Sequence, residues 1–340
     1  MDRVKAIDLK EIDFIGAGLQ RPECVQTCRS GHLFASNWQG GISILSPDGE
    51  IKNLLALNAG FDLKPNGFCL MDDGSFLIAH LGDEDGGVFH LHKDGTLEPF
   101  LTEVDGIPLP PTNYVHRDQK GRIWITVSTR LQPRALGYRA DVSDGFIILA
   151  DLNGARIAAD NLGYTNECLV TLDGASLLAV ETFARRLSQF TIEMDGSLSD
   201  KKTIAEFGGG TFPDGVIQDR EGGIWVTGIL SNRVIHIDTD GQQTIILEDY
   251  DPAELAIREQ AFQDANLGRS HLDTLPGARL RNITSLAFGG PDLKTAYLGC
   301  LLGDSIASFP SPVAGNPPVH WELDGSLYFN ADNQINGANP

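Results

Sequence analysis

The sequence predicts an all-β fold, a six-bladed β-propeller with one helical insertion between blades 5 and 6, occupying residues 1–340 as a single domain. Three observations carry this expectation: a turn-and-strand unit that recurs six times, a surplus of glycine, and one stretch of helical spacing. Glycine is 38 of 340 residues, about 11% against a usual ~7%, whereas proline at 17 is ordinary. The surplus therefore belongs to tight turns that need positive φ rather than to a flexible linker.

The recurring unit is a turn followed by an apolar, β-rich run: GHLFAS from Gly31, DGSFLIAH from Asp73, KGRIWITV from Lys120, DGASLLAV from Asp173, EGGIWVTG from Glu221 and, more loosely, DLKTAYLG from Asp292. Steps between Gly31, Gly74, Gly121, Gly174 and Gly222 are 43, 47, 53 and 48 residues, and the last step, to Asp292, is 70. Second turns lie between them (SPDGE, HKDGT, DLNGA, EMDGS and DTDGQ), so each period holds about four strands. That is the content of one propeller blade, and six blades close a ring. The long step contains the insertion, about 251–280, whose segment Asp251 to Gly268 reads as a helix. Pro252 suits its first turn and Gly268 its C-terminal stop. Leu255, Ile257, Ala261, Phe262 and Ala265 form its expected buried side, with Arg258, Glu259 and Asp264 among the charged positions between them. As a lid over the channel, it would bring Phe262 or the segment around His271 to a substrate wall.

Eight residues before the turn positions stand Glu23, Asn66, Asn113, Asn166 and Asp214, with Thr284 as the sixth counterpart. Rotation about a propeller axis brings equivalent positions of successive blades to one point, so the repeat builds a cage of oxygen donors. Donors without His or Cys suit a hard cation: one divalent ion, calcium first, with magnesium, manganese or zinc as alternatives. Such an ion with open positions supports metal-assisted ester hydrolysis. No GxSxG elbow occurs, and the GGG of FGGGTFPDG neither follows a strand nor opens a helix, which argues against a dinucleotide site.

Through these residues the chain resembles the gluconolactonase, senescence-marker-protein (regucalcin) and luciferin-regenerating-enzyme family of six-bladed propellers. The likeness runs from RPECV at Arg21 through FPDGVIQDREGGIWVTG at Phe212 to SLAFGGPDLKTAYLG at Ser285. It implies a metal-dependent lactonase, with a sugar lactone as leading substrate, whose cation is held by Glu23, Asn166 and Asp214. It further implies that Asp214 orients or deprotonates the attacking water and that Asn113, in PPTNYV, touches metal or substrate. Two departures alter the substrate wall: Tyr114 replaces an acidic residue, and Pro111 stands where some sugar-lactone-hydrolysing members carry arginine. The candidate catalytic pair is Asp214 and Asn113, and the substrate-binding candidates are Asn113, Asn66, Tyr114, His80 and Arg130. Arg130 and Arg139 flank a loop of the third blade that can reach the channel rim and suit a carboxylate-bearing substrate. Other readings on the same fold are an ester or phosphoester hydrolase and a non-catalytic calcium- or ligand-binding protein.

Composition limits the partners. Lys plus Arg number 26 against 46 Asp plus Glu, and the resulting charge of −20 repels nucleic acid and anionic membranes. Five scattered cysteines, without a CxxC pair, suggest neither a disulfide framework nor a zinc ribbon. The expectation is a cytoplasmic monomer or weak homo-oligomer acting on a small-molecule substrate, with no ~20-residue apolar run to span a membrane.

Overall fold

The two families of glycine turns join different strands of every regular blade. In a computed structural model, which describes residues 5–329, Gly31, Gly74, Gly121, Gly174 and Gly222 stand between first and second strands. Gly49, Gly95, Gly154, Gly196 and Gly241 mark the turns between third and fourth strands. All ten have φ between +71° and +99°, where a side chain is strained. In the sixth blade the left-handed turn residue is Leu293, φ +59°, one position beyond the Asp292 marked by the sequence spacing. The ends of the expected single domain, residues 1–4 and 330–340, lie outside the described residues.

Six four-stranded antiparallel sheets result. Their first strands, Val25–Thr27, Pro65–Leu70, Thr112–Arg117, Thr165–Val170, Phe212–Gln218 and Ile283–Gly289, stand side by side around the channel. The chain is a six-bladed β-propeller, as its repeat predicts. The sixth blade combines Ile283–Gly289, Thr295–Cys300 and Ile306–Pro310 with Asp13–Ile15 as its outer strand, in the register Asp13↔Ser308, Phe14↔Ala307, Ile15↔Ile306. Between blades the core is apolar and tightly filled. Trp124 and Trp225 are fully buried, and their indole N–H groups donate to Asp118 (3.0 Å) and Asp219 (2.8 Å), so each tryptophan's one polar group is satisfied.

The insertion follows the fifth blade. Helix α1, Pro252–Gln263, begins on Asp251, whose side chain accepts from Ala253 N and Glu254 N. It ends earlier than expected: the left-handed residue after it is Ala265, φ +53°, whereas Gly268 caps the short helix α2, Arg269–Leu272. Its inner face also differs from the sequence reading. Arg258 is buried, donating to the carbonyls of Leu230, Thr274 and Leu275, while Ile257 is 56% exposed. Leu255, Arg258 and Phe262 point inward, Glu259 pairs with Arg185 at 2.6 Å, and Phe262 packs edge-on against Phe212. After the last strand, residues 311–329 return beneath the ring, where Tyr328 packs against Phe34 and Phe76. Among the described residues, no helix is long and apolar enough to cross a membrane.

Candidate active site at the channel mouth

The inner strands lose their regular register at the position that the eight-residue offset singles out. Pairing slips between Pro65 and Phe68, Thr112 and Tyr114, Thr165 and Cys168, Pro213 and Val216, and Ile283 and Leu286. Asn66, Asn113, Asn166, Asp214 and Thr284 each occupy such a bulge, and Glu23 lies just ahead of the first strand of blade 1. A bulge re-aims the side chain it carries, which is how a strand otherwise committed to packing delivers a polar group to the axis. Glycine follows at Gly67 and Gly215 because the neighbouring blade presses close: a Cβ at Gly67 would lie 2.2 Å from the Tyr114 ring, and one at Gly215 2.6 Å from the Thr284 carbonyl.

At the channel mouth a small cavity of about 40 Å³ brings together Glu23, Asn113, Asn166 and Asp214, with Arg21, Arg134 and Arg269 beside them. Arg21 donates through Nε and Nη2 to a single oxygen, Glu23 Oε2 (3.0 and 2.7 Å), and its guanidinium stacks on Trp38 at 4.0 Å. Asn166 bonds Asp214 and donates to Thr182 Oγ1 at 3.2 Å. Burial, reinforced by the carboxylates of Glu23 and Glu167, pushes the Asp214 carboxyl well above its usual range. Burial likewise pushes Glu167 up to about 8, although Val216 N donates to it. Asn66 donates to the Asn113 carbonyl at 3.0 Å, and the side-chain oxygens of Asn66 and Asn113 are buried with no hydrogen-bond partner. Thr284 departs from the expected cage, since its hydroxyl donates to the Glu23 carbonyl at 2.5 Å. At the mouth the orphaned Asn113 amide oxygen and the carboxylates of Glu23 and Asp214 fit a hard cation, whereas Asn66 does not line this cavity. Among the described residues no three His, Cys, Asp or Glu side chains gather into a metal-holding group, so such a site depends on the asparagines.

Three substrate-binding candidates are placed elsewhere. Tyr114 follows its bulge into the opposite half of the channel. His80 is fixed within blade 2, accepting from Lys64 N at 3.0 Å and packed on Phe61 and Phe89. Arg130 pairs with Asp160 at 2.8 Å over Phe146, and Arg139 pairs with Asp141 at 2.6 Å. The blade-3 loop does reach the mouth, but through Arg134 and Tyr138. From the insertion, Arg269 and Leu272 line the cavity, while Phe262 lies behind Phe183. Sequence reasoning missed Glu167, Arg21, Arg134 and Arg269; of these only Arg21 and Glu167 neighbour ring positions, in RPECV and TNE.

The other half of the channel holds a larger cavity of about 190 Å³, closed by residues 316–320. Its walls are largely apolar and several of its polar groups are engaged: His116 accepts from Val170 N, His320 donates to the Thr27 carbonyl, and Asp118 holds Arg122 and Trp124, while Glu167 lines this half and the Asn316 side-chain oxygen is buried without a partner. The carboxylates and amides of the repeat converge at the mouth, despite its smaller volume.

Residues 22–250 match the SMP-30/Gluconolactonase/LRE-like region. The chain belongs to this family. As a member, it is 26% identical over 277 residues to the 6-deoxy-6-sulfogluconolactonase of Pseudomonas putida, covering 80% of this chain and 78% of that protein. Its fold is similar to a luciferin-regenerating enzyme (TM-score 0.67, 16% identity, 92% of this chain and 99% of that one). It is also similar to regucalcin from Agrobacterium tumefaciens, described as a calcium-binding protein (TM-score 0.65, 17% identity, 91% and 98%).

Proposed function

We propose that this chain hydrolyses a lactone, a sugar lactone first, at one divalent cation, calcium first, held by Glu23, Asn166 and Asp214. The observation that carries this reading is the buried, unpartnered Asn113 amide oxygen in one cavity with Asp214, whose carboxyl is held well above its usual range by burial and by the charges of Glu23 and Glu167. The relative named 6-deoxy-6-sulfogluconolactonase supports lactone chemistry, and the regucalcin described as calcium-binding supports the choice of ion.

When bound, the cation would supply Lewis-acid polarisation of the lactone carbonyl. The chain's own residues do the rest. Arg21 fixes Glu23 through Oε2 alone and leaves Oε1 free for the cage. Asn113 orients the substrate with an amide oxygen that no protein group occupies. Asp214 takes the proton of the attacking water, and Asn166 holds its carboxylate in place. Tyr138, Tyr164 and Phe183, in mutual contact at 4.8–5.3 Å, make a stiff apolar wall that limits water at the mouth.

The test is a proton-release assay over sugar and aliphatic lactones with and without chelator. Turnover of at least one lactone, lost on chelation and restored by calcium, is expected. Tight calcium binding without turnover of any lactone would instead make this a non-catalytic calcium-binding member of the family.

A further inference from the structure

Three guanidinium groups, those of Arg21, Arg134 and Arg269, share the small cavity that holds the polar ring, in a chain whose net charge is −20. They arrive from separate parts of the chain: the segment leading into blade 1, the short 3-10 turn Arg134–Gly137 of the blade-3 loop, and helix α2 of the insertion. Their functions are already partly divided. Arg21 is committed to Glu23 and stacked on Trp38. Arg269 is held in a fixed pose by Asp273, through Nε to Oδ2 at 3.0 Å and Nη2 to Oδ1 at 2.9 Å. Arg134 is half-buried and, among the described residues, has no carboxylate partner. The three line one small cavity, so their positive charges face one another there. Like charges brought together at a partly desolvated mouth cost stability unless something negative comes between them. Of the two carboxylates that line the cavity, Glu23 is bonded to Arg21 and Asp214 belongs to the proposed cation cage, and neither forms an ion pair with Arg134. Tyr138, Tyr164 and Phe183, which also line the cavity, are aromatic and add no carboxylate.

We propose that the substrate carries a fixed negative charge remote from its lactone carbonyl, a sulfonate, phosphate or carboxylate, and that Arg134 and Arg269 receive it. This rests on the lactonase reading of the same site, and it sets the specificity within that reading. Planar guanidinium groups match such oxyanions through paired hydrogen bonds. With the charged group seated between the blade-3 loop and α2, the lactone ring points down the channel towards Asn113 and Asp214. A neutral lactone would leave Arg134 without a partner on desolvation.

The experiment compares six-carbon lactones that differ only at the far carbon, bearing hydroxyl, phosphate, sulfonate or carboxylate. Alongside, calorimetry in the presence of calcium measures binding of the open-chain acids 6-phosphogluconate and gluconate. Charged lactones are expected to exceed the neutral one about tenfold or more in kcat/KM at low salt, with the gap narrowing as ionic strength rises. Arg134→Gln and Arg269→Gln should each shrink that ratio through KM, and the double variant should bring it close to one. The calorimetric preference for 6-phosphogluconate should disappear in the double variant. Equal affinities in the native protein, or a preference that survives the double substitution, would overturn the proposal. If no lactone is turned over, the lactonase reading fails, but the calorimetric comparison still decides the anion site. Salt dependence in the native protein keeps the test informative if a variant does not fold.

Discussion

Asp214 is buried where two further carboxylates, Glu23 and Glu167, approach, with Arg21 the nearest opposing charge. Such a group weakens an ion-free protein and is repaid only when a cation arrives. Asp214→Asn should accordingly raise the unfolding free energy in chelator by about 1–2 kcal/mol, and the stabilisation by calcium that the proposed site predicts for the native protein should be mostly absent from the variant. Thermal scans with chelator and with calcium decide this; a variant less stable than native in chelator would mean that the carboxylate is already satisfied by protein groups. Asn113→Ala, by contrast, should reduce turnover about tenfold or more while retaining calcium affinity, and equal loss of both would make Asn113 a ligand. The ring residues were legible because the bulge recurs at a constant distance from a glycine turn. Tyr114 was misplaced because the same bulge breaks strand parity, so the residue after the ring faces the other half of the channel. Arg134 and Arg269 left no comparable trace: they lie in a loop and an insertion, where no repeat constrains the sequence.

The insertion behaves as a docked element rather than a loose flap. Helix α1 presents Leu255, Arg258 and Phe262 to the blades, and the Arg185 guanidinium stacks on both Phe212 and Phe262, at 4.3 and 4.2 Å. The carboxylate of Asp249 accepts from Ala278 N, Arg279 N and Leu280 N, fastening the end at which the chain rejoins the ring. Arg258→Met should therefore cost about 2–3 kcal/mol, because the buried Leu230 carbonyl and the part-buried carbonyls of Thr274 and Leu275 lose a donor, and should make residues 264–280 markedly more sensitive to protease. Ile257→Lys, on the exposed face, should stay within about 0.5 kcal/mol. Urea titration with limited proteolysis checks both, and equal effects of the two substitutions would contradict the observed facing of the helix. Its start could be read from Asp251 and Pro252, which are local signals. Its inner face could not, because the partners of Arg258 are carbonyls of Leu230, Thr274 and Leu275, remote from the helix in sequence.

For the whole molecule, the repeat revealed the number of blades but not how the ring is fastened, since Asp13–Ile15 is three residues long and carries no turn marker. The underside is likewise held by a non-repeating segment: the Gln218 and Asp219 carbonyls accept from Asn316 Nδ2, and the Thr27 carbonyl accepts from His320. Burial pushes His116 and His320 down to about 4, against about 6.5 in an unfolded chain. Lowered folded-state values mean that each contribution is present in full above pH 6.5 and is lost as pH falls towards 4, where the unfolded chain has gained the extra protons. The stability advantage of the native protein over His320→Gln should thus shrink by up to roughly 3 kcal/mol between pH 7 and pH 4. Denaturant midpoints along that range measure it, and a constant difference would show that His320 takes up its proton equally in the folded and unfolded states. The fastening of the sixth blade also sets an order of events. Five blades are assembled from neighbouring segments and can form as the chain emerges during synthesis, whereas Asp13–Ile15 must wait for Ile306–Pro310 to be made. Until the sixth blade is made the ring is an open arc, and before Ile283–Gly289 exists Glu23 lacks the bonds from Thr284 and Ser285 that hold its backbone carbonyl, so the cage is incomplete. Chains stalled before Ile283 should consequently resist protease through their early blades yet bind no calcium, so that the site becomes competent only when the last inner strand has met the first.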